Sequence, residues 1–312
     1  MKIAFFEVEK WQEKYLKSKL KGELQFFKGH LTSNVTKIKD VEVLCVFVYS
    51  NVTKEILDKL DNLKIICTMS TGFDHIYLEA CKEKGIKVFN CSTYAENTVA
   101  EHTFSMILGL SRKLVDGNER VMKGNMSLDG LRGKDLKNKT LGLIGAGKIG
   151  LNVIKMAKGF GMNVIVYDIV KNKNYKYVSL DTLLKKSDIV SLHCPLTKDN
   201  EHLINSKNLK KMKKGSMIIN TARGGLVDTI AVADAIKKGK LGGVGLDVLE
   251  NEKEVKKGFK GSSKLLRAER YLLKQDHVII TAHNAFNSEE SVYRLLDETI
   301  QNIKGKGRCL SC

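Results

Sequence analysis

Long apolar runs are missing from this sequence, and their absence limits what the chain can be. No segment approaches the roughly 20 uninterrupted apolar residues that a membrane helix requires, so we predict no membrane association. The short apolar run that begins at Lys2 has no small-residue cleavage site after it, which indicates a buried first strand rather than a signal peptide. We therefore expect a cytoplasmic protein.

Cysteines are scattered along the chain instead of being spaced as a disulfide framework. This distribution of seven cysteines is typical of a protein from a reducing compartment. Cys309 and Cys312 form the only close pair, and a lone Cys-x-x-Cys is weak evidence for metal binding or redox chemistry. We expect this pair to lie in a frayed tail, and we predict no metal site.

Acidic residues are in the minority. Lysine and arginine outnumber aspartate and glutamate by 53 to 35, which gives a formal net charge of +18. Such an excess raises the affinity for phosphates, acidic metabolites and nucleic acid alike, so the charge alone does not choose among them. Because the lysines are spread over the whole chain, we interpret them as a solvated basic surface and do not expect a nucleic-acid partner.

Short apolar runs alternate with amphipathic stretches from the first residue onward. This alternation predicts an α/β fold with parallel strands joined by helices, and 312 residues favour two domains over one. The final helix has no strand left to complete, so we expect it to return to the first domain. A polar stretch, 116–139, indicates a nearby domain junction. The predicted strands are 2–6, 43–48, 65–69, 87–90, 141–144, 163–167, 188–193, 216–220, 243–246 and 278–281, and the clearest helices are 53–60, 98–115 and 288–303.

A glycine-rich motif, Gly145-x-Gly147-x-x-Gly150, follows an apolar strand and opens a helix, which is the context of a dinucleotide-binding loop. The first glycine allows a tight turn, the second lets the backbone approach a pyrophosphate, and the third lets helix and strand pack closely. Asp168 ends the next strand, 18 residues after Gly150. A carboxylate there binds the adenosine ribose and repels a 2′-phosphate, so the sequence predicts NAD rather than NADP.

Three polar side chains follow predicted strands in the second half of the chain: Arg223, Glu252 and His283. Open α/β sheets bind ligands at the carboxyl ends of their strands. Arginine can clamp a carboxylate with two hydrogen bonds, histidine can supply a proton, and a carboxylate beside it can stabilise the imidazolium. Singly, such residues are usually solvated or structural. Together they favour the reduction of a 2-keto acid.

Several long motifs resemble those of the D-isomer-specific 2-hydroxyacid dehydrogenases, and most closely the D-lactate dehydrogenase group. The resemblance runs nearly from end to end, and its strongest stretches are 70–76, 94–102, 142–150, 191–197, 220–228 and 283–286. It implies a Rossmann cofactor domain, residues 98–286, inserted into a smaller flavodoxin-like α/β substrate domain made of residues 1–97 and 287–312. It also implies a homodimer.

The resemblance assigns roles to individual residues. It implies that Arg223 binds the substrate, Glu252 orients the histidine and His283 is the acid/base. The implied cofactor-binding residues are Gly145, Gly147, Lys148, Ile149 and Gly150 at the pyrophosphate, Asp168 at the ribose, Cys194, Pro195 and Asn200 along the flank, and Thr221, Ala222, Arg223 and Asp247 near the nicotinamide. On the substrate side, Thr71 and Gly72 would offer backbone N–H groups to the carboxylate, and Tyr94 and Phe286 would line the pocket with Arg223.

One loop departs from the family's common Tyr-Ser-Pro-Asn pattern. Here it reads Tyr94-Ala95-Glu96-Asn97. Losing the proline should loosen the loop, and Glu96 adds an anion near a site for anionic substrates. An inward-pointing Glu96 would argue against simple pyruvate as the substrate.

The leading hypothesis is an NAD-dependent enzyme that reduces a pyruvate-like 2-keto acid to the D-2-hydroxy acid, with the proton coming from His283. Alternatives within the same fold are glycerate, hydroxyisocaproate or a phosphorylated hydroxy acid as substrate. A different class is also open, because the family includes transcriptional corepressors that sense NADH and bind partners or nucleic acid. The intact set of Arg223, Glu252 and His283 favours the enzyme.

Overall fold

The computed structural model describes residues 1–171, 175–250, 252–255, 258 and 261–312. They form two compact units, one made of Met1–Ala95 with Asn287–Cys312 and the other of Glu96–Phe286. Each unit contains a parallel sheet with interleaved helices, which confirms the α/β fold class. The polar stretch 116–139, near which we expected a domain junction, lies inside the second unit.

The first unit contains β1 (Lys2–Phe6), α1 (Lys10–Lys19), β2 (Glu23–Phe27), β3 (Val43–Val46), α2 (Lys54–Leu57), β4 (Ile65–Thr68), α3 (Leu78–Glu83) and β5 (Lys87–Asn90). The second contains α4 (Glu96–Ser111), α5 (Leu114–Met122), β6 (Thr140–Ile144), α6 (Lys148–Gly159), β7 (Asn163–Tyr167), α7 (Leu180–Lys186), β8 (Ile189–Leu192), α8 (Ser206–Lys211), β9 (Ser216–Asn220), α9 (Thr229–Lys237), β10 (Leu241–Leu246), α10 (Glu252–Val255), α11 (Lys264–Leu272) and β11 (Val278–Ile280). The last helix, α12 (Glu289–Ile303), belongs to the first unit.

The sheet of the first unit has five parallel strands in the order β2-β1-β3-β4-β5, which is the flavodoxin-like order. The four strands that the sequence predicts here are confirmed. Their residues are apolar on both faces because helices cover both sides of a parallel sheet. The fifth strand, β2, was missed because polar residues, Glu23 and Gln25, alternate with its first apolar residue, so its apolar signal is weak.

Helix α12 completes the first unit, as expected for a helix without a strand to follow. It lies against β4, β5 and α1. Ser288 caps its N-terminus by accepting a hydrogen bond from the N–H of Ser291, and Asp297 accepts one from the Tyr15 hydroxyl at 2.7 Å. Farther along, Glu298 accepts from the N–H of Ser92 at 2.8 Å, so the helix ties together both parts of the discontinuous unit.

The C-terminal tail is ordered, which corrects the expectation of a frayed end. Cys309 and Cys312 form a disulfide with a Cα–Cα distance of 5.7 Å. Between them, the N–H of Leu310 donates to the carbonyl of Val88 at 2.8 Å. The Ser311 hydroxyl accepts from the N–H of Val88 at 2.9 Å, so the tail pairs with the open edge of β5. A hydrogen-bonding partner 223 residues earlier in the chain, as Val88 is for Ser311, has no signal in the local sequence.

The sheet of the second unit has the order β7-β6-β8-β9-β10-β11, and all its strands are parallel. Each of its six strands was predicted from the sequence. The order in which the chain adds strands to the sheet reverses at β6. Strand β7 lies on one side of β6, and β8 and all later strands lie on the other. Such a reversal is where doubly wound sheets bind ligands, at the carboxyl ends of the strands.

One predicted helix, 98–115, is two helices in the structure. Lys113 adopts a left-handed conformation with φ of 52°, which ends α4 and starts α5 in a new direction. The sequence pattern hides this break because lysine is an ordinary helix residue. Among the described helices, none is long and apolar enough to cross a membrane.

Candidate active site

The glycine-rich loop joins β6 to α6 at the point where the strand order reverses. A Cβ atom on Gly145 would lie 2.7 Å from the backbone nitrogen of Cys194, and one on Gly150 would lie 2.2 Å from the carbonyl oxygen of Gly145. Both positions therefore require glycine. By contrast, a Cβ on Gly147 would have nothing within 4 Å. This open space lies at the N-terminus of α6, where a pyrophosphate fits.

Asp168 lies beside this loop, although it belongs to the end of the neighbouring strand β7. Its carboxylate accepts hydrogen bonds from the N–H of Ala146 at 2.6 Å and from the N–H of Val170 at 2.9 Å. The carboxylate thus lies next to the pyrophosphate loop, as a ribose-binding group must. The residues present fit a bound NAD.

We expect Asp168→Asn to reduce the preference for NADH over NADPH by roughly 10- to 100-fold, because hydrogen bonds to a charged group contribute about 1.5–3 kcal/mol. The variant keeps one oxygen acceptor for the loop and removes the charge that repels a 2′-phosphate. The measurement is kcat/KM with each cofactor. Asp181→Asn, at an exposed position on α7, is the matched control. An unchanged ratio in Asp168→Asn would show that this carboxylate does not select the cofactor.

The predicted cofactor flank follows β8. Burial raises the pKa of the Cys194 thiol to about 11, so this group is neutral near pH 7. Asn200 folds the loop back on itself, because its side chain accepts from the N–H of Thr197 at 2.7 Å and donates to the carbonyl of Pro195 at 2.8 Å. The neighbouring His193 is also neutral, since burial lowers its pKa to about 3. An uncharged wall therefore borders the glycine-rich loop.

The three predicted catalytic residues lie at one edge of the sheet. Arg223, Glu252 and His283 follow β9, β10 and β11, which are consecutive neighbours in the sheet. The Nδ1 atom of His283 is 3.0 Å from Oε2 of Glu252. A Cβ on Gly224 would lie 2.1 Å from the carbonyl oxygen of Leu249, so the loops after β9 and β10 are in direct contact.

The turn that carries His283 is wrapped around Asp247, whose side chain is 1% exposed. The Asp247 carboxylate accepts from the hydroxyl of Thr281 at 2.5 Å and from the N–H groups of Asn284 and Ala285 at 3.0 Å each. Its carbonyl oxygen accepts from the N–H of His283 at 2.9 Å. These bonds hold His283 in a left-handed conformation with φ of 53°, which a non-glycine residue adopts only under such constraint.

Sequence reasoning missed His102 on α4 as part of this network. Its Nε2 atom is 3.1 Å from the Thr281 hydroxyl and 3.5 Å from the Asp247 carboxylate. The next residue, Thr103, shares a hydrogen bond of 3.0 Å with Thr221, at the start of the loop that leads to Arg223. Helix α4 therefore supports two of the loops at this edge. The only local signal was that His102 closes one of the motifs, 94–102.

Arg223 belongs to a loop that is fixed by Asn220. The Asn220 side chain accepts from the N–H of Ala222 at 3.0 Å and donates to the carbonyl of Arg223 at 2.8 Å. The guanidinium of Arg223 is partly buried and donates to the carbonyl of Ala222 at 2.7 Å. The backbone that bears the guanidinium is thus fixed, which suits a group that must meet a carboxylate in one orientation.

The predicted substrate residues fall in both units. In the first, the carbonyl of Thr71 accepts from Asn90 at 2.7 Å and that of Gly72 accepts from the hydroxyl of Ser70 at 2.7 Å. Within the described parts of the chain, the N–H groups of Thr71 and Gly72 donate to no protein acceptor. Tyr94 is 5% exposed in the first unit, and Phe286 is partly buried in the second.

Glu96 does not extend away from the protein. Its Oε1 atom is 3.1 Å from the ammonium of Lys148, the residue that follows Gly147 in the glycine-rich loop.

As far as the described residues extend, no group of three His, Cys, Asp or Glu side chains is placed to hold a metal ion.

The second unit thus brings a dinucleotide-type glycine-rich loop and a histidine–glutamate pair to the carboxyl ends of one parallel sheet. The chain belongs to the D-isomer-specific 2-hydroxyacid dehydrogenase family. Residues 104–285 match the family described as D-isomer specific 2-hydroxyacid dehydrogenase, NAD binding domain. The family resemblance found in the sequence is thereby confirmed, and so is NAD as the cofactor.

Relatives of known name are similar over nearly the whole chain. The chain is 35% identical to the D-lactate dehydrogenase of Escherichia coli over 100% of this chain and 98% of the relative. It resembles the crystal structure of D-lactate dehydrogenase from Aquifex aeolicus complexed with NAD and lactic acid, with a TM-score of 0.90, 39% identity and 99% coverage of each chain. An aromatic 2-oxoacid reductase of Clostridium sporogenes is 39% identical over 82% of this chain and 81% of the relative. The protein is an NAD-dependent 2-hydroxyacid dehydrogenase similar to D-lactate dehydrogenases.

Proposed function

We propose that the enzyme reduces a small, pyruvate-like 2-keto acid to the D-2-hydroxy acid, and that bound NADH supplies the hydride. The observation that carries this proposal is the 3.0 Å pair of His283 and Glu252 at the sheet edge that also bears the glycine-rich loop. A protein that only senses NADH does not need an acid/base pair at this position.

His283 is the proposed proton donor. Its Nδ1 atom faces Glu252, so Nε2 is the ring atom left to deliver a proton to the developing alkoxide. The carboxylate of Glu252 keeps the ring oriented through this contact. Because Asp247 fixes the backbone of the same turn, the proton donor is held in place before substrate binds.

Arg223 is the proposed anchor for the substrate carboxylate. Its planar fork can donate two parallel hydrogen bonds, which orients the adjacent ketone. Thr71 and Gly72, which belong to the first unit, stay predicted from the family resemblance as donors of N–H groups to a substrate carboxylate. The absence of protein acceptors for these groups among the described residues supports that role.

The size of the substrate's side chain is tested by a panel of 2-keto acids. We expect NADH oxidation with pyruvate, and lower kcat/KM with hydroxypyruvate, 2-ketoisocaproate and phenylpyruvate. The relative named aromatic 2-oxoacid reductase makes the aromatic member of the panel informative. A reversed order would assign a larger substrate to the same chemistry. No oxidation with any member, together with salt-sensitive retention on DNA, would favour the NADH-sensing alternative.

We also propose that the enzyme is a homodimer, with a surface on and after α5 as the interface. A cytoplasmic location stays a prediction from the sequence.

The proposed interface is apolar. Large apolar side chains are exposed along α5 and the residues after it: Leu114 67%, Val121 52%, Met122 80%, Met126 76% and Leu128 83%. An isolated exposed apolar residue is ordinary, but a cluster of this kind marks an interaction site.

Substituting Met122→Asp and Leu128→Asp together is expected to convert the dimer to a monomer, because the interface would bury two unpaired charges from each protomer. The measurement is the molar mass by size-exclusion chromatography with light scattering. Leu273→Asp, at another exposed apolar position, is the matched control and should remain dimeric. A monomeric wild-type protein at micromolar concentration would refute the proposed interface.

A further inference from the structure

Glu96 and Lys148 form an ion pair at the mouth of the glycine-rich loop. Oε1 of Glu96 and Nζ of Lys148 are 3.1 Å apart, and their side chains are 29% and 59% exposed. Glu96 is the first residue of α4 and Lys148 is the first residue of α6, and these two helices pack against each other in the second unit. The pair therefore depends on the packing of the two helix N-termini.

The electrostatics of the two helix ends explain why this pair forms. A carboxylate in the first turn of a helix interacts favourably with the helix dipole, and a cation there interacts unfavourably. Glu96 is thus well placed on α4, whereas Lys148 is badly placed on α6, whose first turn contains no acidic residue. Lys148 needs an anion nearby. In the protein alone, that anion is Glu96.

A second anion for Lys148 is the pyrophosphate of the cofactor. The family resemblance assigns Lys148 to the pyrophosphate, and the open space at Gly147 lies directly before it. The two anions then compete for one ammonium group. The carboxylate also repels the phosphates, since it lies 3.1 Å from the atom that would contact them.

We propose that Glu96 weakens the binding of NAD(H) by competing with the cofactor pyrophosphate for Lys148. This inference rests on the proposed role of Lys148. It assigns a function to the side chain that departs from the family's common proline: Glu96 faces the cofactor's phosphates rather than selecting the substrate. A lower affinity for the cofactor favours its release after each turnover.

The test is a titration of the purified protein with NADH, followed by its fluorescence or by calorimetry. Glu96→Gln should bind NADH about two- to fivefold more tightly, which is the range expected for a partly exposed ion pair. ADP, which contains the pyrophosphate, should show the same gain, and adenosine should show none. Because the charges are partly exposed, the gain should shrink in about 0.5 M salt. Glu101→Gln, on the same helix, is the control and should leave the affinity unchanged.

Two further variants separate the possible outcomes. Glu96→Asp keeps the charge and should bind NADH as the wild type does, which excludes a general effect of altering the helix start. Lys148→Met should weaken the binding of NADH and ADP and should reduce the gain from Glu96→Gln, because only the direct repulsion between Glu96 and the phosphates would remain. Unchanged or weaker binding by Glu96→Gln would overturn the proposal.

A different result would refute the role of Lys148 itself. If Lys148→Met bound NADH and ADP as tightly as the wild type, the ammonium would not contact the pyrophosphate, and the competition could not occur. NADH oxidation by the same variants with pyruvate reports separately on the proposed reductase activity. A protein without that activity could still show the predicted change in NADH affinity.

Discussion

Replacing His283 by alanine is expected to lower kcat about 10²- to 10⁴-fold, the usual contribution of a positioned general acid. The affinity for NADH should stay within about twofold of the wild type, because the ring is proposed to deliver a proton and not to hold the cofactor. Both quantities are measured on the same preparation, kcat by NADH oxidation with saturating pyruvate and the dissociation constant by NADH fluorescence.

The matched control for this variant is at the other end of the same strand. His277 directly precedes β11, whereas His283 follows it. His277→Ala also removes a histidine side chain next to β11, but at the end of the strand opposite to the sheet edge that bears Glu252. We expect it to turn over at the wild-type rate. Wild-type turnover by His283→Ala would instead mean that another group supplies the proton.

Replacing Arg223 by lysine is expected to raise KM for pyruvate about 10- to 100-fold, because a charged, two-point hydrogen bond is lost and such bonds contribute about 1.5–3 kcal/mol. Lysine keeps the positive charge but presents it as a point, so it cannot hold a carboxylate in one plane. The measurement is the full dependence of rate on pyruvate concentration, which separates KM from kcat.

Arg267→Lys is the control for this substitution. Arg267 is exposed on α11 and donates to the carbonyl of Ser262 at 2.7 Å, away from the sheet edge. It should leave KM for pyruvate unchanged. If Arg223→Lys also left KM unchanged, the guanidinium would not be the anchor of the substrate carboxylate.

The parallel sheets were predictable because their strands are buried on both faces. The strand 216–220, Ser-Met-Ile-Ile-Asn, is buried throughout, and burial on both faces leaves an uninterrupted apolar run at its centre. Strand β2 was missed because polar Glu23 and Gln25 interrupt its apolar residues. The break at Lys113 was missed for a different reason: a single backbone conformation, not a change in polarity, ends the helix.

The candidate site was predictable to the extent that strand ends determine it. Arg223, Glu252 and His283 each follow a strand, and parallel strands place their carboxyl ends at one edge. The hydrogen bonds that hold their loops in place were not predictable, because the contact of His102 with Thr281 joins residues 179 positions apart. The pairing of Glu96 with Lys148 depends in the same way on how two helices pack, which no local pattern encodes.

The central claim is that this enzyme reduces a 2-keto acid to the D-hydroxy acid with NADH. The most direct test is to let the purified enzyme consume pyruvate and NADH to completion and to analyse the product by chiral chromatography. We expect D-lactate as the single enantiomer, formed in equal amount to the NADH oxidised. L-lactate, a racemic product, or no NADH oxidation with pyruvate or any other 2-keto acid of the panel would contradict the claim.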